Sequence, residues 1–324
     1  MAVDDASPFP TIGIVGVGLV GGSLALAVRE RWPSTRVIGL DRPQVLAHAL
    51  GGGAIDRGVT RLADLGPVDL IVLAAPVRQN LRLLGELARE SSGTTSGPTS
   101  GPTPGSTSGS TPGPTPGPTP GPTLRSTSGT TLMTDVGGTK GDVMRAVRTL
   151  GLQTVFVGGH PLGGAERGGF GFARPDLFRG RPWIFTPDAD VPEDVLARLV
   201  SFVRGLGARP TTMDASEHDR AMAFLSHLPQ LTASALMDVV GLAVQADGLG
   251  LAGRGLRDTT RLASSPANVW RDICSTNTAA IGDALDALIA HLVELRADLP
   301  NGDALEAIFD SAGRWRAELI KDKD

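Results

Sequence analysis

Cysteine, long apolar runs and excess positive charge are the features that this 324-residue sequence most clearly lacks. Its one cysteine, Cys274, excludes a disulfide within the chain and a zinc site built from several thiolates, so we predict no metal. The same cysteine use fits a reducing, cytoplasmic location. No apolar run reaches about eighteen residues, and residues 1–10 are acidic without an apolar core, so we expect neither a membrane span nor a secretory signal.

Charge and composition narrow the class of partner. The formal net charge is −4, and the basic residues are scattered among acids, which gives no electrostatic footprint for nucleic acid. With 41% hydrophobic and 20% charged residues, the chain has an ordinary globular balance and is long enough for two domains. We therefore expect a small-molecule substrate as the main partner.

One segment, residues 91–131, differs from the rest of the chain. It consists almost entirely of Gly, Pro, Ser and Thr, so it offers almost nothing to bury and cannot offset the entropy cost of ordering. We predict a disordered insert in a loop between a helix and a strand, because the buried-strand patterns 68–76 and 131–136 flank it and belong to one sheet.

Strand and helix patterns alternate through the first two thirds of the sequence. The predicted strands are TIGIVGV, RVIGLD, DLIVLAAP, LMTDV, TVFVGG, RPWIFTP and ARPTTMD, with helical patterns between most of them. This order is typical of a parallel sheet covered on both faces. We predict an α/β fold, in which a Rossmann-type dinucleotide-binding domain spans residues 1–214.

Strand patterns end near Ser216, and only helical patterns follow. We predict an all-α helical domain for dimerisation and substrate binding over residues 215–324. Its central helix places apolar residues on one stripe, which are Ile281, Ala284, Leu285, Leu288, Ile289 and Leu292. Such a stripe either packs within its own domain or joins a second copy of the chain, and we favour a homodimer.

A glycine motif follows the first strand. Gly16, Gly18 and Gly21 have G-x-G-x-x-G spacing, the strand TIGIV precedes them, and a helical pattern over residues 23–31 follows. In this context the first glycine permits a tight turn, the second lets the backbone approach a pyrophosphate, and the third allows close packing. We predict that the motif, with its intervening Leu19 and Val20, binds a dinucleotide at the helix N-terminus.

An acid at the end of the second strand predicts the cofactor. Asp41 lies twenty residues after Gly21, where a carboxylate accepts hydrogen bonds from ribose hydroxyls and repels a 2′-phosphate. NAD is therefore favoured, while the adjacent Arg42 leaves NADP as an alternative. The turn that contains Ala75 and Pro76 ends the strand that should lie beside the nicotinamide half.

Five motifs follow one another along the chain, and they are GVGLVGGSLALA, DVGGTKG, FVGGHPLGGAE, HDRAMAFLSHLP and GLRDTTRLASSPANVWRDI. In this order they resemble the prephenate dehydrogenase family over nearly the whole chain apart from the insert. The resemblance implies NAD-dependent oxidation and decarboxylation of prephenate on the route to tyrosine. It also implies that His160 is the catalytic histidine, whose neutral imidazole accepts the ring hydroxyl proton. We expect His218, next to Asp219, to fix the domain junction.

The same resemblance assigns the substrate contacts. Arg261 matches the arginine that binds a substrate carboxylate, a role that suits a guanidinium fork, and Arg257 is the reserve candidate. Trp270 matches a position at the edge of the substrate pocket. Gln230 stands where some relatives carry histidine near the substrate side chain, and its neutrality mildly favours prephenate over arogenate.

The DVGGTKG motif departs from the family at one position. Gly138 stands where the family often has serine, a side chain that can hydrogen-bond the ring hydroxyl or the histidine. Thr139 would compensate only if its hydroxyl pointed the same way. Lys140 matches a lysine near the active centre and would raise the local positive potential.

Other functions also fit parts of this sequence. An arogenate dehydrogenase would use the same residues on a different side chain, and a non-catalytic dinucleotide sensor would need neither His160 nor Arg261. A β-hydroxyacid dehydrogenase of similar architecture usually relies on a lysine in its helical domain. No lysine occurs between Lys140 and Lys321, which argues against that class.

Overall fold

The computed structural model describes residues 6–91, 130–164 and 167–321. The predicted insert lies almost entirely outside these residues. Among the described residues, no helix is both long and apolar enough to cross a membrane. The chain divides into two compact units, the first comprising Met1–Asp219 with Ser265–Thr276 and the second comprising Arg220–Ser264 with Asn277–Asp324. The boundary between residues 214 and 215 stays a prediction.

An eight-stranded sheet in the order β3-β2-β1-β4-β5-β6-β7-β8 forms the centre of the first unit. The strands are β1 (Thr11–Val15), β2 (Arg36–Leu40), β3 (Arg57–Val59), β4 (Leu70–Leu73), β5 (Leu132–Asp135), β6 (Phe156–Pro161), β7 (Pro182–Thr186) and β8 (Arg209–Thr212). β1, β4 and β5 are buried over most of their length, as their continuous apolar runs predict. The chain order reverses between β1 and β4, so the carboxyl ends of these strands border a crevice suited to a ligand.

Helices cover this sheet. They are α1 (Leu19–Arg31), α2 (Pro43–Gly51), α3 (Val77–Ser91), α4 (Gly141–Thr149) and α5 (Glu193–Gly205). Helix α6 (Ala215–Met222) follows β8 and contains the boundary between the two units. Two clusters of buried apolar side chains form the core, one containing Ile14 and Leu24 and the other containing Ile71 and Leu84. Helix α1 begins at Leu19, four residues before the predicted start, so the last glycine of the motif lies inside the helix.

The sheet differs from the all-parallel prediction at one edge. β7 pairs antiparallel with β6, while β8 pairs parallel with β7. A parallel crossover needs a long connection, usually a helix, but the described residues between β6 and β7 contain only a short 3₁₀ turn at Phe170–Phe172. The chain therefore returns antiparallel. The short strand β3 had no separate apolar pattern and was missed.

The second unit is helical. Its helices are α7 (Leu228–Leu249), α8 (Arg254–Thr259), α10 (Thr278–Asp298) and α11 (Asp303–Ile320), whereas α9 (Ala267–Thr276) belongs to the first unit. A π-helical turn at Ala223–His227 precedes α7. The predicted α/β class with a Rossmann-type first part and a helical remainder is thus confirmed.

The apolar stripe on α10 is buried at one end only. Ile281 and Ala284 are buried, whereas Ile289 and Leu292 are each more than half exposed. On α11, Phe309 and Trp315 are also largely exposed. Exposed apolar surface on this scale commonly marks an interaction site.

Candidate active site

The glycine motif forms the turn between β1 and α1. Gly16 has φ +94°, and a Cβ at this position would lie 2.7 Å from the backbone of both Ala74 and Ala75. A side chain is therefore excluded by conformation and by the close approach of the β4 turn. The sequence motif thus produces the tight turn that it predicts.

Gly18 faces open space, because a Cβ at this position would meet no atom within 4 Å. It precedes the first turn of α1, where Leu19, Val20 and Gly21 lie. The backbone N–H groups at a helix N-terminus can bind an anion. The adjoining cavity has a volume of about 500 Å³. Its lining includes the predicted cofactor residues Gly16, Gly18, Asp41, Arg42, Ala75 and Pro76.

Asp41 has its carboxylate fixed at one end of this cavity. One oxygen accepts a hydrogen bond from Val17 N at 2.7 Å, and the other accepts one from Arg42 N at 2.7 Å. The Arg42 side chain is 84% exposed, with its Nε 3.9 Å from the carboxylate. A fixed carboxylate beside an open glycine turn fits the ribose and pyrophosphate of NAD.

A buried ion pair joins the ends of β5 and β6. The Lys140 ammonium contacts the Asp135 carboxylate and donates to Gly159 O at 2.8 Å, and both side chains are fully buried. The Asp135 carboxylate also accepts from Gly137 N at 2.9 Å and Gly159 N at 3.0 Å. Burial lowers the pKa of Lys140, and the neighbouring carboxylate opposes that shift.

The pair therefore holds the backbone immediately before His160. It neutralises charge inside the protein rather than presenting a free cation at the surface. This position favours a positioning role for Lys140, and its predicted catalytic role stays a prediction.

His160 is linked to an acid through a second histidine. His160 Nδ1 lies 2.8 Å from His218 Nε2, and His218 Nδ1 lies 2.9 Å from Asp219 Oδ1. The Asp219 carboxylate also accepts hydrogen bonds from the backbone of Lys140 and Gly141, each at 2.7 Å, at the start of α4. His218 is fully buried and Asp219 nearly so. The three side chains form one continuous hydrogen-bonded chain.

This arrangement assigns the ring protons. A carboxylate can only accept, so His218 donates from Nδ1 to Asp219 and its Nε2 is left as an acceptor. His160 must then donate from Nδ1 to His218. Consequently Nε2 of His160 carries the lone pair and is the nitrogen that can accept a proton.

Gly138 faces that nitrogen. A Cβ added at Gly138 would lie 3.8 Å from His160 Nε2, so a serine at this position would place its hydroxyl beside the base. The Thr139 hydroxyl lies 2.8 Å from that of Thr276 and is buried. Because Thr276 lies on α9, this contact joins Thr139 to that helix. The Thr139 hydroxyl therefore does not lie where the hydroxyl of a serine at position 138 would lie.

The remaining predicted substrate residues lie on helical segments. In the second unit, Gln230 is buried and its amide donates to Leu262 O at 2.7 Å, which anchors the short 3₁₀ segment that begins with Arg261. Arg257 is exposed on α8. In the first unit, Trp270 is half-buried on α9. Their roles as substrate contacts stay predictions.

Sequence reasoning missed two parts of this site. His218 was expected to fix the domain junction, whereas it contacts His160 directly. Asp135 received no role of its own, although it ends a buried strand and carries the carboxylate that pairs with Lys140. For Asp135 the available signal was an acid at the end of an apolar strand, since such groups are seldom buried without a partner. His218 stands among charged neighbours and carries no such local signal.

Two family models together match the chain almost continuously from residue 123 to residue 309. A model described as prephenate dehydrogenase, nucleotide-binding domain, matches residues 123–212. A second model, described as prephenate dehydrogenase, dimerization domain, matches residues 214–309. The two matches are adjacent and follow the order of a single protein.

Individual relatives agree with these models. The chain is 29% identical over 316 residues to a prephenate dehydrogenase of Bacillus subtilis, which covers 95% of this chain and 76% of that one. It is 28% identical over 325 residues to a cyclohexadienyl dehydrogenase of Zymomonas mobilis, which covers 98% of each. A prephenate dehydrogenase of Aquifex aeolicus, solved with hydroxyphenyl propionate and NAD+, is similar in structure, with a TM-score of 0.78, 25% identity, and coverage of 96% and 98%.

Proposed function

This chain belongs to the prephenate dehydrogenase family, and we propose that it catalyses the NAD-dependent oxidative decarboxylation of prephenate to 4-hydroxyphenylpyruvate. The observation that carries the proposal is the hydrogen-bonded chain from Asp219 through His218 to His160. It makes His160 Nε2, which lies near Gly138, the nitrogen that can accept a proton, in the same unit as the cavity lined by the glycine motif and Asp41. A sensor without turnover has no need of this arrangement.

His160 Nε2 takes the proton of the ring hydroxyl as the carbinol C–H bond breaks. NAD, when bound, supplies the acceptor for the hydride. The bond from the ring to its carboxylate then breaks, and its electron pair completes the aromatic ring as carbon dioxide leaves. The resulting phenolate oxygen takes back the proton from His160 Nε2, which restores the neutral imidazole. His218 and Asp219 hold the imidazole in one tautomer and stabilise the positive charge that it gains.

Cofactor binding rests on the glycine turn and Asp41. The open face of Gly18 and the first turn of α1 would hold the pyrophosphate, and the Asp41 carboxylate would accept from the adenosine ribose. Arg261 would hold a substrate carboxylate, with Gln230 anchoring its segment through Leu262 O. Trp270 and Arg257 are proposed as further substrate contacts.

The test is NADH formation by purified full-length protein, with prephenate and arogenate compared at one NAD concentration. We expect faster turnover with prephenate and almost none for His160→Asn. A preference for arogenate would support the proposed reaction but would make arogenate, rather than prephenate, the substrate. If neither substrate reduced NAD or NADP, and His160→Asn bound the dinucleotide like the parent chain, the sensor alternative would replace the proposal.

We also propose that the chain is a cytoplasmic homodimer formed through the helical unit. The exposed apolar side chains Ile289 and Leu292 on α10, and the match of residues 214–309 to a dimerization domain, support this assembly. Leu292→Glu should convert the dimer to monomer in sedimentation velocity, whereas Glu294→Gln on the same helix should not. A monomeric parent chain at micromolar concentration would count against the dimer.

A further inference from the structure

A second cavity of the first unit carries a cluster of arginines that the catalytic chain does not use. Its volume is about 570 Å³, and its lining includes Arg78 and Arg82 from α3 together with Arg271 from α9. Pro76 and Gln79 line both this cavity and the cofactor cavity, so the two are adjacent. We call it the arginine groove.

The geometry keeps the arginines together. Arg78 and Arg82 are separated by one helical turn and therefore lie on the same face of α3. Asp272 accepts from the Arg78 backbone N–H at 3.2 and 3.3 Å, which fixes α9 at the start of α3. Arg271, the neighbour of Asp272, is thereby held at the same groove.

The three arginines of the groove form no ion pair among the described residues. Within residues 6–91, 130–164 and 167–321, no carboxylate lies within 4.0 Å of the guanidinium of Arg78, Arg82 or Arg271, whereas Arg61 and Arg145 each bond an acid on their own segment. Three positive charges and the one carboxylate of Asp272 leave the groove with a charge of about +2. Like charges one turn apart on a helix cost stability, so the cluster is not explained by helix stability.

We propose that the arginine groove attracts the dianionic substrate toward the adjacent cofactor cavity and so favours a dianion over a monoanionic zwitterion. This inference rests on the proposed function, since prephenate carries two carboxylates, whereas arogenate carries two carboxylates and an ammonium group. A charge of +2 near a dianion lowers KM by a factor of roughly three to ten at low ionic strength. Because the interaction energy scales with ligand charge, the factor for arogenate is about the square root of that for prephenate.

The experiment compares the parent chain with the triple variant R78Q/R82Q/R271Q. A charge-matched control, R36Q/R89Q/R204Q, removes three exposed arginines that do not line the groove. KM and kcat for prephenate and for arogenate are measured at about 20 mM and about 300 mM salt, where the screening length falls severalfold. We expect the KM for prephenate to rise about threefold to tenfold in the groove variant at low salt, with kcat unchanged and the difference lost at high salt.

Two outcomes would overturn the inference. One is a groove variant that behaves like the control, and the other is an equal rise in KM for both substrates. A binding measurement separates failure of this inference from failure of the proposed function. The probe is malonate, a dianion that does not react, and titration calorimetry should show weaker binding to the groove variant than to the control. This result is expected even if the parent chain oxidises neither substrate. Equal binding of malonate to the two variants would refute the inference.

Discussion

His218 Nε2 lies 2.8 Å from His160 Nδ1, and this contact determines which nitrogen of His160 can act as a base. The acceptor-only carboxylate of Asp219 fixes the proton on His218 Nδ1, and the proton on His160 Nδ1 follows. A residue more than fifty positions away in sequence therefore sets the tautomer of the catalytic histidine. The arrangement resembles the way an acid orients the histidine of a catalytic triad, with one more imidazole inserted.

Replacing His218 should impair catalysis without impairing cofactor binding. His218→Ala removes the acceptor for His160 Nδ1, so we expect kcat to fall about 10–100-fold while the KM for NAD stays unchanged. Steady-state kinetics with both substrates varied measures the two parameters. Thermal unfolding of the same variant separates loss of orientation from loss of folding.

His218→Gln tests whether another hydrogen-bond acceptor can replace the His218 imidazole. Its amide oxygen can accept from His160 Nδ1 in place of the imidazole, so we expect part of the lost kcat to return. His48→Asn serves as a control, because His48 lies on α2 outside the hydrogen-bonded chain. Equal activity of the parent chain and His218→Ala would show that the observed contact has no role in turnover.

The motif residues were predictable because they carry local signals. Glycine spacing after a strand, an acid at the end of β2 and a histidine between glycines are each visible within a few residues of sequence. The contact of His160 with His218 depends on how α6 packs near the end of β6, which no short segment specifies. The same limit applies to Thr139, whose hydroxyl partner Thr276 lies far along the chain.

The ion pair between Asp135 and Lys140 makes a stability prediction. Lys140→Met leaves the buried Asp135 carboxylate without its counter-charge, which should lower the free energy of unfolding by about 3–5 kcal/mol. Denaturant unfolding followed by circular dichroism measures this change. The double variant Asp135→Asn with Lys140→Met removes both charges and should recover part of the loss. A single variant as stable as the parent, or a double variant less stable than the single one, would contradict this account.

A hydroxyl introduced at Gly138 would test the role of the space beside His160 Nε2. Gly138→Ser places a Cβ 3.8 Å from His160 Nε2 without a close contact, so we expect the chain to fold normally. The new hydroxyl can hydrogen-bond the base or the ring hydroxyl, and one such bond would raise kcat about twofold to tenfold. Gly137→Ser is the contrasting variant, because its Cβ would lie 2.8 Å from the Asp135 carboxylate and should destabilise the fold. A fall in kcat for Gly138→Ser would mean that the substrate needs the open position.

The fold was predictable where hydrophobic patterns are strong and less so at the edge of the sheet. The buried strands β1, β4 and β5 follow from their apolar runs, whereas the direction of β7 depends on the absence of a crossover helix before it. The π-helical turn before α7 also has no separate sequence signal, because its residues fit an ordinary helical pattern. Orientation and helix irregularity are set by packing rather than by local preference.

Asp41 and Arg42 together predict how the cofactor preference can be changed. Asp41→Ser removes the carboxylate that accepts from the ribose and would repel a 2′-phosphate, while the exposed Arg42 remains beside the site to pair with that phosphate. We expect the KM for NAD to rise about tenfold and the ratio of kcat/KM for NADP over NAD to rise by more than tenfold. The measurement varies each dinucleotide at saturating prephenate, with Asp64→Ser as a control outside the cofactor cavity. Because Asp41 also accepts from Val17 N in the glycine turn, an equal loss for both dinucleotides would mean that the carboxylate acts mainly by shaping the turn.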